Sequence, residues 1–188
     1  MARLNTEIPD LGDLRPFRSS RMTFRLLDID DAPELQVMTD SPAITSTISF
    51  LTSPFSIRNA WELIAGEGDE WRPRFIGGWL FESRRLAVVM GVILHGAHEL
   101  EVGFWVRPSL HRKGLAKEAM EAFLPLAKTL FPLRLLVAEC TPSNVPAVKV
   151  LNALGFVTDG ATGRKPPRSR FELTGCTAPP PEARRGPG

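Results

Sequence analysis

The sequence predicts a mixed α/β (α+β) domain in which helices flank a mostly antiparallel sheet, in the order β-α-α-β-β-β-α-β-α-β-β. The composition is that of a globular chain, because 43% of the 188 residues are hydrophobic and 23% are charged. Three strand-like runs follow one another between residues 75 and 106 with only short turns between them, which predicts antiparallel hairpins. Segments with helical periodicity separate the later strands, which predicts a crossover connection.

The first half of the chain contains one predicted strand and two predicted helices. Residues 1–20 are expected to be an irregular arm, and residues 22–27 a strand. Asp31 is a plausible N-cap for a helix that ends near residue 39, with Pro33 in its first turn. Residues 40–54 are polar and bounded by proline, so a loop is expected there. A second helix begins after Ser56, and glycines follow its end.

The second half alternates strands and helices. Strands are predicted at residues 75–81 and 86–94, joined by the turn 82–85, and the turn 95–98 leads to a strand that contains Glu101. A helix begins at Leu115, and Pro125 is expected to kink it or end it early. A strand over 133–140, a helix over 145–154, and strands at 156–158 and 170–174 complete the domain, for which we predict the boundaries 21–174. Residues 175–188 are rich in Pro and Gly and are expected to be a disordered tail.

The loop between the Glu101 strand and the following helix predicts a phosphate-binding site. The first N–H groups of a helix have no internal partner and lie at the positive end of its dipole. Gly114 permits close approach of an anion, and neighbouring basic residues add charge. The fingerprints of dinucleotide-binding loops and nucleotide P-loops do not occur in the sequence. The candidate cofactor-binding residues of this segment are His111, Arg112, Lys113, Gly114, Leu115, Ala116 and Lys117.

Two segments together resemble the GNAT N-acetyltransferase family. Residues 111–116 resemble its acetyl-CoA loop, Gln/Arg-x-x-Gly-x-Gly/Ala, although His111 replaces the usual Gln or Arg. One helix and one strand later, the chain resembles the pattern Asn-x-x-Ser/Ala-x-x-Val-Leu-x-x-x-Gly-Phe at Asn144, Ala147, Val150, Leu151, Gly155 and Phe156. The order and spacing of both motifs match the family. The strand over residues 101–106 is similar to that of the RimJ/RimL N-terminal acetyltransferases.

The resemblance implies direct transfer of an acetyl group from acetyl-CoA to an amine. Glu101 is the candidate base, in a cleft where its strand separates from the next one, and Gly103 is expected to form a bulge. Backbone groups of Phe104, Trp105 and Val106 and the side chain of Asn144 are expected to hold the cofactor. The family's usual tyrosine is replaced by Leu151, and the chain contains no tyrosine, so water, Ser143 or a residue of another loop is the candidate proton donor to the departing thiolate.

Each of these residues also has a structural interpretation. Glu101 is equally a glutamate at the sheet edge paired with an arginine, and Asn144 a plain helix N-cap. The side chains of Phe104 and Trp105 are expected in the core. His95, His98 and Glu99 resemble metal ligands, but a solvated turn is favoured and no metal is expected. Cys140 lies in an apolar strand, where its thiol is expected to be inert.

The sequence therefore predicts a cytoplasmic acetyl-CoA-dependent N-acetyltransferase, a monomer or homodimer, whose favoured acceptor is a protein N-terminus. A small amine such as an antibiotic or polyamine is the alternative acceptor, with residues 40–54 and 67–74 as acceptor loops. A non-catalytic acyl-CoA-binding module is the alternative outside enzymes. Nucleic-acid binding through the basic C-terminal segment is disfavoured because no aromatic residues alternate with its arginines. The longest apolar run, nine residues, predicts no membrane contact.

Overall fold

A computed structural model of the chain describes residues 11–66, 73–164 and 166–174. It contains one eight-stranded sheet with the strand order β1-β2-β3-β4-β5-β6-β8-β7. All neighbouring strands are antiparallel except β5 and β6. The strands are β1 (Phe17–Arg18), β2 (Met22–Leu26), β3 (Arg74–Leu80), β4 (Leu86–His95), β5 (Glu99–Val106), β6 (Leu135–Cys140), β7 (Phe156–Val157) and β8 (Ser169–Leu173). The helices are α1 (Ala32–Thr39), α2 (Pro42–Thr45), α3 (Ile57–Ala65), α4 (Leu115–Leu130) and α5 (Val145–Ala153).

The predicted fold class is confirmed, and the structure adds two short elements to the predicted order. The described part of the arm forms β1, which pairs with β2, and the expected loop over 40–54 includes α2. Asp31 does not cap α1 with its side chain. Instead, Asp28 and Asp31 form a reciprocal capping box around a preceding 3₁₀ turn. Residues 1–10, most of the acceptor loop 67–74 and the tail 175–188 lie outside the described residues, and the domain boundaries stay predictions.

The sheet separates two hydrophobic cores. Alternate residues of a strand point to opposite faces, so β5 contributes to both. Leu100, Val102 and Phe104 pack on the face covered by α4 and α5. Trp105 packs on the opposite face with α1, α3 and the segment between them. Glu101 and Gly103 lie on the same face of β5 as Trp105. That face of the strand therefore carries one carboxylate and one position without a side chain.

Helix α4 continues through Pro125 to Leu130, so the expectation of an early end is wrong. Proline removes one backbone donor and normally destabilises a helix interior. Pro125 lies on the exposed side of α4, whereas Phe123, Leu124 and Ala127 are buried in the core. The carbonyl that loses its partner is that of Glu121, which is also exposed. Water can therefore solvate it, and core packing keeps the helix intact.

Strands β5 and β6 pair for only three residues and then separate. The parallel register runs from Glu99 opposite Leu135 to Glu101 opposite Val137. Beyond that point β5 continues to Val106 paired with β4 alone. This confirms the expected separation of the two strands, and it opens a cleft in the middle of the sheet.

Candidate active site

The cleft between β5 and β6 is lined by residues of the Glu101 strand and by three residues of the second sequence motif. Glu101, Phe104 and Trp105 line it from β5, and Asn144, Ala147 and Leu151 line it from α5 and the turn before it. The remaining wall comes from the sheet and the residues next to its strands, from the segment between α2 and α3, and from the loop after β7. It consists of Thr47, Ile48, Phe50, Pro73, Phe75, Gly91, Ile93, Val102, Gly103, Ala138, Glu139, Cys140, Thr141 and Arg168.

The backbone of β5 has an open edge toward this cleft. In antiparallel pairs the hydrogen-bonded positions alternate. The N–H of Arg107 donates to Ala87 on β4, whereas the carbonyl of His98 accepts from Leu135 of β6. Even-numbered residues of β5 therefore direct their backbone groups toward β6. Phe104 and Val106 lie where β6 has moved away, so their N–H groups face the cleft.

The structure changes two expectations about β5, one for the backbone of Trp105 and one for Gly103. The same alternation directs the backbone groups of Trp105 toward β4, and its buried indole donates through Nε1 to Thr39 Oγ1 at 3.2 Å. Gly103 does not form a bulge, because the β4–β5 register runs unbroken from Val88 opposite Val106 to His95 opposite Glu99. Gly103 pairs with Gly91 in that register. The edge is exposed by separation of the strands, not by a bulge.

The segment His111–Lys117 forms an anion cradle at the start of α4. Gly114 is its N-cap in the left-handed conformation, with φ of 73°. Glu118 N–H donates to the Gly114 carbonyl. None of the described residues accepts a hydrogen bond from the six N–H groups of residues 112–117. Free consecutive donors at the positive end of a 16-residue helix suit a phosphate or diphosphate.

Arg21, in the turn between β1 and β2, stabilises this cradle. Its Nη2 donates to the Lys113 carbonyl at 3.0 Å, and its Nε donates to Glu118 Oε2 at 2.6 Å. Glu118 also accepts hydrogen bonds from Ser19 and Ser20. Burial alone would raise the pKa of Glu118, but the hydrogen bonds from Ser19, Arg21 and Ser20 outweigh it and lower the pKa to about 2. The carboxylate therefore stays ionised and holds the arm against α4.

His111 closes the cradle against the end of β5. Its Nε2 lies 2.8 Å from the carbonyl oxygen of Val106. A carbonyl can only accept, so Nε2 is the donor in this contact. The side chain thus links the loop to the open strand edge, which gives a reason for histidine at this position of the loop.

The start of α5 supplies a second polar group. The side-chain oxygen of Asn144 accepts from the Ala147 N–H at 3.3 Å, so the N-cap interpretation is confirmed. Its amide nitrogen has no acceptor among the described residues and lies at the cleft. Ser143 is exposed in the same turn and is not among the residues that line the cleft. Leu151 lines the cleft where a tyrosine would bring a hydroxyl.

Glu101 is held in the cleft by His95, which the sequence placed in a solvated turn. The imidazole Nε2 lies 2.6 Å from Glu101 Oε2, and the two side chains are only 11% and 16% exposed. His95 is the last residue of β4 and faces Glu99 in the register, so it is a diagonal neighbour of Glu101 on one face. Within the described residues, Glu101 Oε1 has no hydrogen-bond partner. His98, in contrast, is exposed as expected.

Arg164, in the loop after β7, bridges three glutamates of β5 and β6. It contacts Glu99, lies 3.7 Å from Glu101 Oε2, and binds Glu139 through its backbone N–H at 2.8 Å. Burial alone would raise the pKa of Glu99, but hydrogen bonds from Arg170 and Arg164 outweigh it and lower the pKa. The expected arginine partner of Glu101 therefore exists. No pattern in the sequence indicated which arginine it is.

The described residues do not support Cys140 as a nucleophile or a metal site. Burial raises the pKa of the Cys140 thiol, against the opposing charge of Arg168, so the thiol is protonated at neutral pH and a poor nucleophile. In the described ranges, no cluster of three or more His, Cys, Asp or Glu could hold a metal ion. The helices of those ranges are too short or too polar to cross a membrane.

Curated proteins with similar sequences are named as N-acetyltransferases. The chain is 32% identical over 65 residues to the uncharacterized N-acetyltransferase YnaD of Bacillus subtilis (strain 168), a match that spans 35% of this chain and 38% of that protein. It is 24% identical over 146 residues to the uncharacterized N-acetyltransferase p20 of Bacillus licheniformis, covering 76% of this chain and 82% of that one.

Solved structures share the fold. A GNAT-family acetyltransferase from Bacillus anthracis superposes with a TM-score of 0.70 and 19% identity, over 84% of this chain and 96% of that one. The ribosomal-protein-S5-alanine acetyltransferase of Vibrio fischeri superposes with a TM-score of 0.68 and 15% identity, over 87% of this chain and all of that one. The family model of the acetyltransferase (GNAT) domain matches residues 21–157, the part that contains the cradle, the open edge of β5 and Asn144. This chain therefore belongs to the GNAT acetyltransferase family.

Proposed function

We propose that this protein transfers an acetyl group from acetyl-CoA directly to a primary amine, and that the favoured acceptor is a protein N-terminus, as in the RimJ/RimL acetyltransferases. The main support is the separation of β5 and β6. The open edge of β5 that results lies beside Glu101, and His111 connects the end of that edge, Val106, to the anion cradle. Acetyl-CoA supplies the activated thioester whose acetyl carbonyl the acceptor amine attacks.

The residues of the cleft fit acetyl-CoA. The free N–H groups of residues 112–117, with Arg112 and Lys113, suit its diphosphate. The N–H groups of Phe104 and Val106 and the amide of Asn144 suit the carbonyls of its pantetheine arm and thioester. A side chain at Gly114 would stand beside the free N–H groups of the cradle, where a Cβ has only Arg21 Nη2 near it, at 3.8 Å. Glycine thus keeps the cradle open.

Glu101 is the base that removes the proton of the acceptor ammonium. Its Oε1 is free of other hydrogen bonds among the described residues, and its Oε2 is held by His95. When Glu101 is ionised its oxygens only accept, so His95 is the donor and orients the carboxylate. The N–H groups of the β5 edge stabilise the negative charge that develops on the acetyl carbonyl oxygen, and such donors typically contribute about 3–4 kcal/mol.

Leu151, in the position of the family's tyrosine, has no proton to donate. Ser143 is exposed outside the lining of the cleft, so water is the proton donor to the thiolate that we favour. The protonated Cys140 does not take part as a nucleophile, which is consistent with direct transfer.

A protein N-terminus is favoured over a polyamine or aminoglycoside by the state of the acidic residues. A polycation needs several free carboxylates, but Arg164 and Arg170 already pair with Glu99, and Arg164 with Glu139. Glu101 Oε1 has no hydrogen-bond partner among the described residues and is the oxygen that we assign to the single acceptor ammonium. The superposition on a ribosomal-protein acetyltransferase is compatible with this choice.

The test is release of CoA by the purified protein from acetyl-CoA, with peptides that carry free N-termini, polyamines and aminoglycosides as acceptors. Calorimetric titration with acetyl-CoA runs in parallel. Turnover of peptides alone supports the proposal, and turnover of polyamines or aminoglycosides alone contradicts the choice of acceptor. Binding of acetyl-CoA without turnover of any amine supports a non-catalytic acyl-CoA-binding module instead.

A further inference from the structure

The floor of the cleft next to Glu101 lacks side chains. Glu101, Gly103 and Trp105 follow one another on the same face of β5, and Gly103 leaves a gap between the carboxylate and the indole. A Cβ built on Gly103 has no atom within 4 Å. Its partner across the ladder is Gly91, which also has no side chain. We call this gap, bounded by Glu101, Gly103 and the aromatic rings described next, the Gly103 notch.

Three aromatic rings form the wall of the notch opposite Glu101. The rings of Phe75 and Trp105 meet edge to face with centroids 5.8 Å apart. The ring of Phe50 lies 6.3 Å from Phe75 and 6.5 Å from Trp105 and is 46% exposed. Phe75 leans over Gly91, because its Cε1 would lie 3.2 Å from a Cβ there. The wall is thus apolar, and its exposed member is at the mouth of the cleft.

Two charged groups beside the notch, Glu139 and Arg168, already bind other parts of the protein. Glu139 is 2% exposed and bound by Arg164, and Arg168 donates to Ser49 Oγ at 2.9 Å. A charged acceptor side chain placed against the aromatic wall would lose its hydration, and the rings of the wall offer it no replacement hydrogen bond. An apolar side chain would bury its surface there at no such cost.

We infer that the Gly103 notch binds the side chain of the acceptor's first residue, and that the preferred acceptors are N-termini that begin with an apolar residue such as Leu, Met or Phe. The inference rests on the proposed function and names its substrate class. Residues i and i+2 on one face of a strand are about 7 Å apart. A first residue whose α-amine binds Glu101 Oε1 therefore has Gly103 within reach of its own side chain.

The experiment compares peptides that differ only in the first residue: Leu, Met, Phe, Gly, Ser, Lys or Asp. We expect kcat/KM with Leu, Met or Phe to exceed that with Gly, Lys or Asp at least tenfold, since one methylene in an apolar pocket is worth about 10- to 200-fold. Equal rates for all peptides, or the highest rate with Lys, Asp or Ser, would overturn the inference.

Two variants localise the preference. A Cβ at Gly103 meets no atom within 4 Å, so Gly103→Val places its side chain in the notch and is expected to lower the ratio of kcat/KM for the Leu peptide to kcat/KM for the Gly peptide at least tenfold. Phe50→Ala is expected to reduce the preference for Leu. Phe81→Ala, which removes a similarly exposed phenylalanine (44%) from the β3–β4 turn, is expected to leave it unchanged. An unchanged ranking in Gly103→Val, with an unchanged Tm, would contradict the assignment.

A binding measurement separates this inference from the proposed function. Calorimetry with the CoA-loaded protein compares Leu-Ala-amide with Gly-Ala-amide. If no peptide is acetylated but the Leu compound binds at least tenfold more tightly, the proposed reaction fails and the notch assignment stands. If both compounds bind equally, the notch assignment fails as well.

Discussion

Replacing Gly114 by glutamate tests the anion cradle at the start of α4. The change has two effects, and the structure separates them. Gly114 has φ of 73°, and a left-handed conformation costs an ordinary residue about 1–2 kcal/mol of stability. The new carboxylate also faces the bound diphosphate. Two unit charges 4 Å apart interact by about 1 kcal/mol in water and about 4 kcal/mol at an effective dielectric constant near 20. Because 1.4 kcal/mol is a factor of ten, CoA should bind about 5- to 700-fold more weakly.

The matched control is Gly160→Glu. Gly160 has φ of 85° and no atom within 4 Å of a built Cβ, so the variant carries similar backbone strain and the same charge outside the cradle. Gly114→Ala adds the strain without the charge and is expected to give an intermediate Kd. Calorimetric titration with CoA gives the affinity, and thermal unfolding gives the strain. Equal affinity of Gly114→Glu and Gly160→Glu for CoA would refute the cradle assignment.

Three further predictions concern the residues around the cleft. His95→Gln keeps a hydrogen-bond donor for Glu101 and should retain most of the kcat for peptide acetylation. His95→Leu should lower kcat at least tenfold and leave the Kd of acetyl-CoA unchanged. Equal kcat values in the two variants would count against the orienting role of His95. Asn144→Asp keeps the oxygen that caps α5, so it should keep the Tm but weaken acetyl-CoA binding. Asn144→Ala should weaken binding and also lose about 1 kcal/mol of stability. If both variants bind acetyl-CoA as the wild type does, Asn144 serves only as a helix cap. Glu118 has a folded-state pKa of about 2 against an ordinary 4.5, so its stabilising effect is present above pH 4.5 and lost as the pH falls toward 2. Glu118→Gln should therefore be less stable than the wild type by up to about 1 kcal/mol at pH 7 in urea unfolding, and a difference that persists at pH 2 would contradict this origin.

The fold was predictable from the sequence where local patterns agree with packing. Ser56 and Gly66 begin and end α3 as expected, with the Ser56 side chain accepting from the Asn59 N–H and Gly66 in the left-handed conformation. Pro125 was misleading because an exposed proline costs a helix little when water solvates the freed carbonyl and the opposite side is buried. Gly103 was misleading because a glycine in a strand can simply leave space when its partner is also a glycine.

The candidate site was predictable only where it is continuous in sequence. The cradle and Asn144 lie on single motifs, so their positions followed from the resemblance. The contact between His95 and Glu101 depends on the β4–β5 register, which places residues six apart in sequence on neighbouring strands. The bridge from Arg164 to three glutamates joins residues more than 20 positions apart. Local periodicity contains neither kind of information.

The rate of peptide acetylation by Glu101→Gln as a function of pH tests the central claim most directly. If Glu101 removes the acceptor's proton, kcat at pH 7 should fall at least 100-fold while the Kd of acetyl-CoA stays within twofold. The deficit should shrink as the pH passes about 8, where an α-amine loses its proton to solvent. A variant with the wild-type rate and pH profile would contradict the account and leave Glu101 as a structural partner of His95 and Arg164.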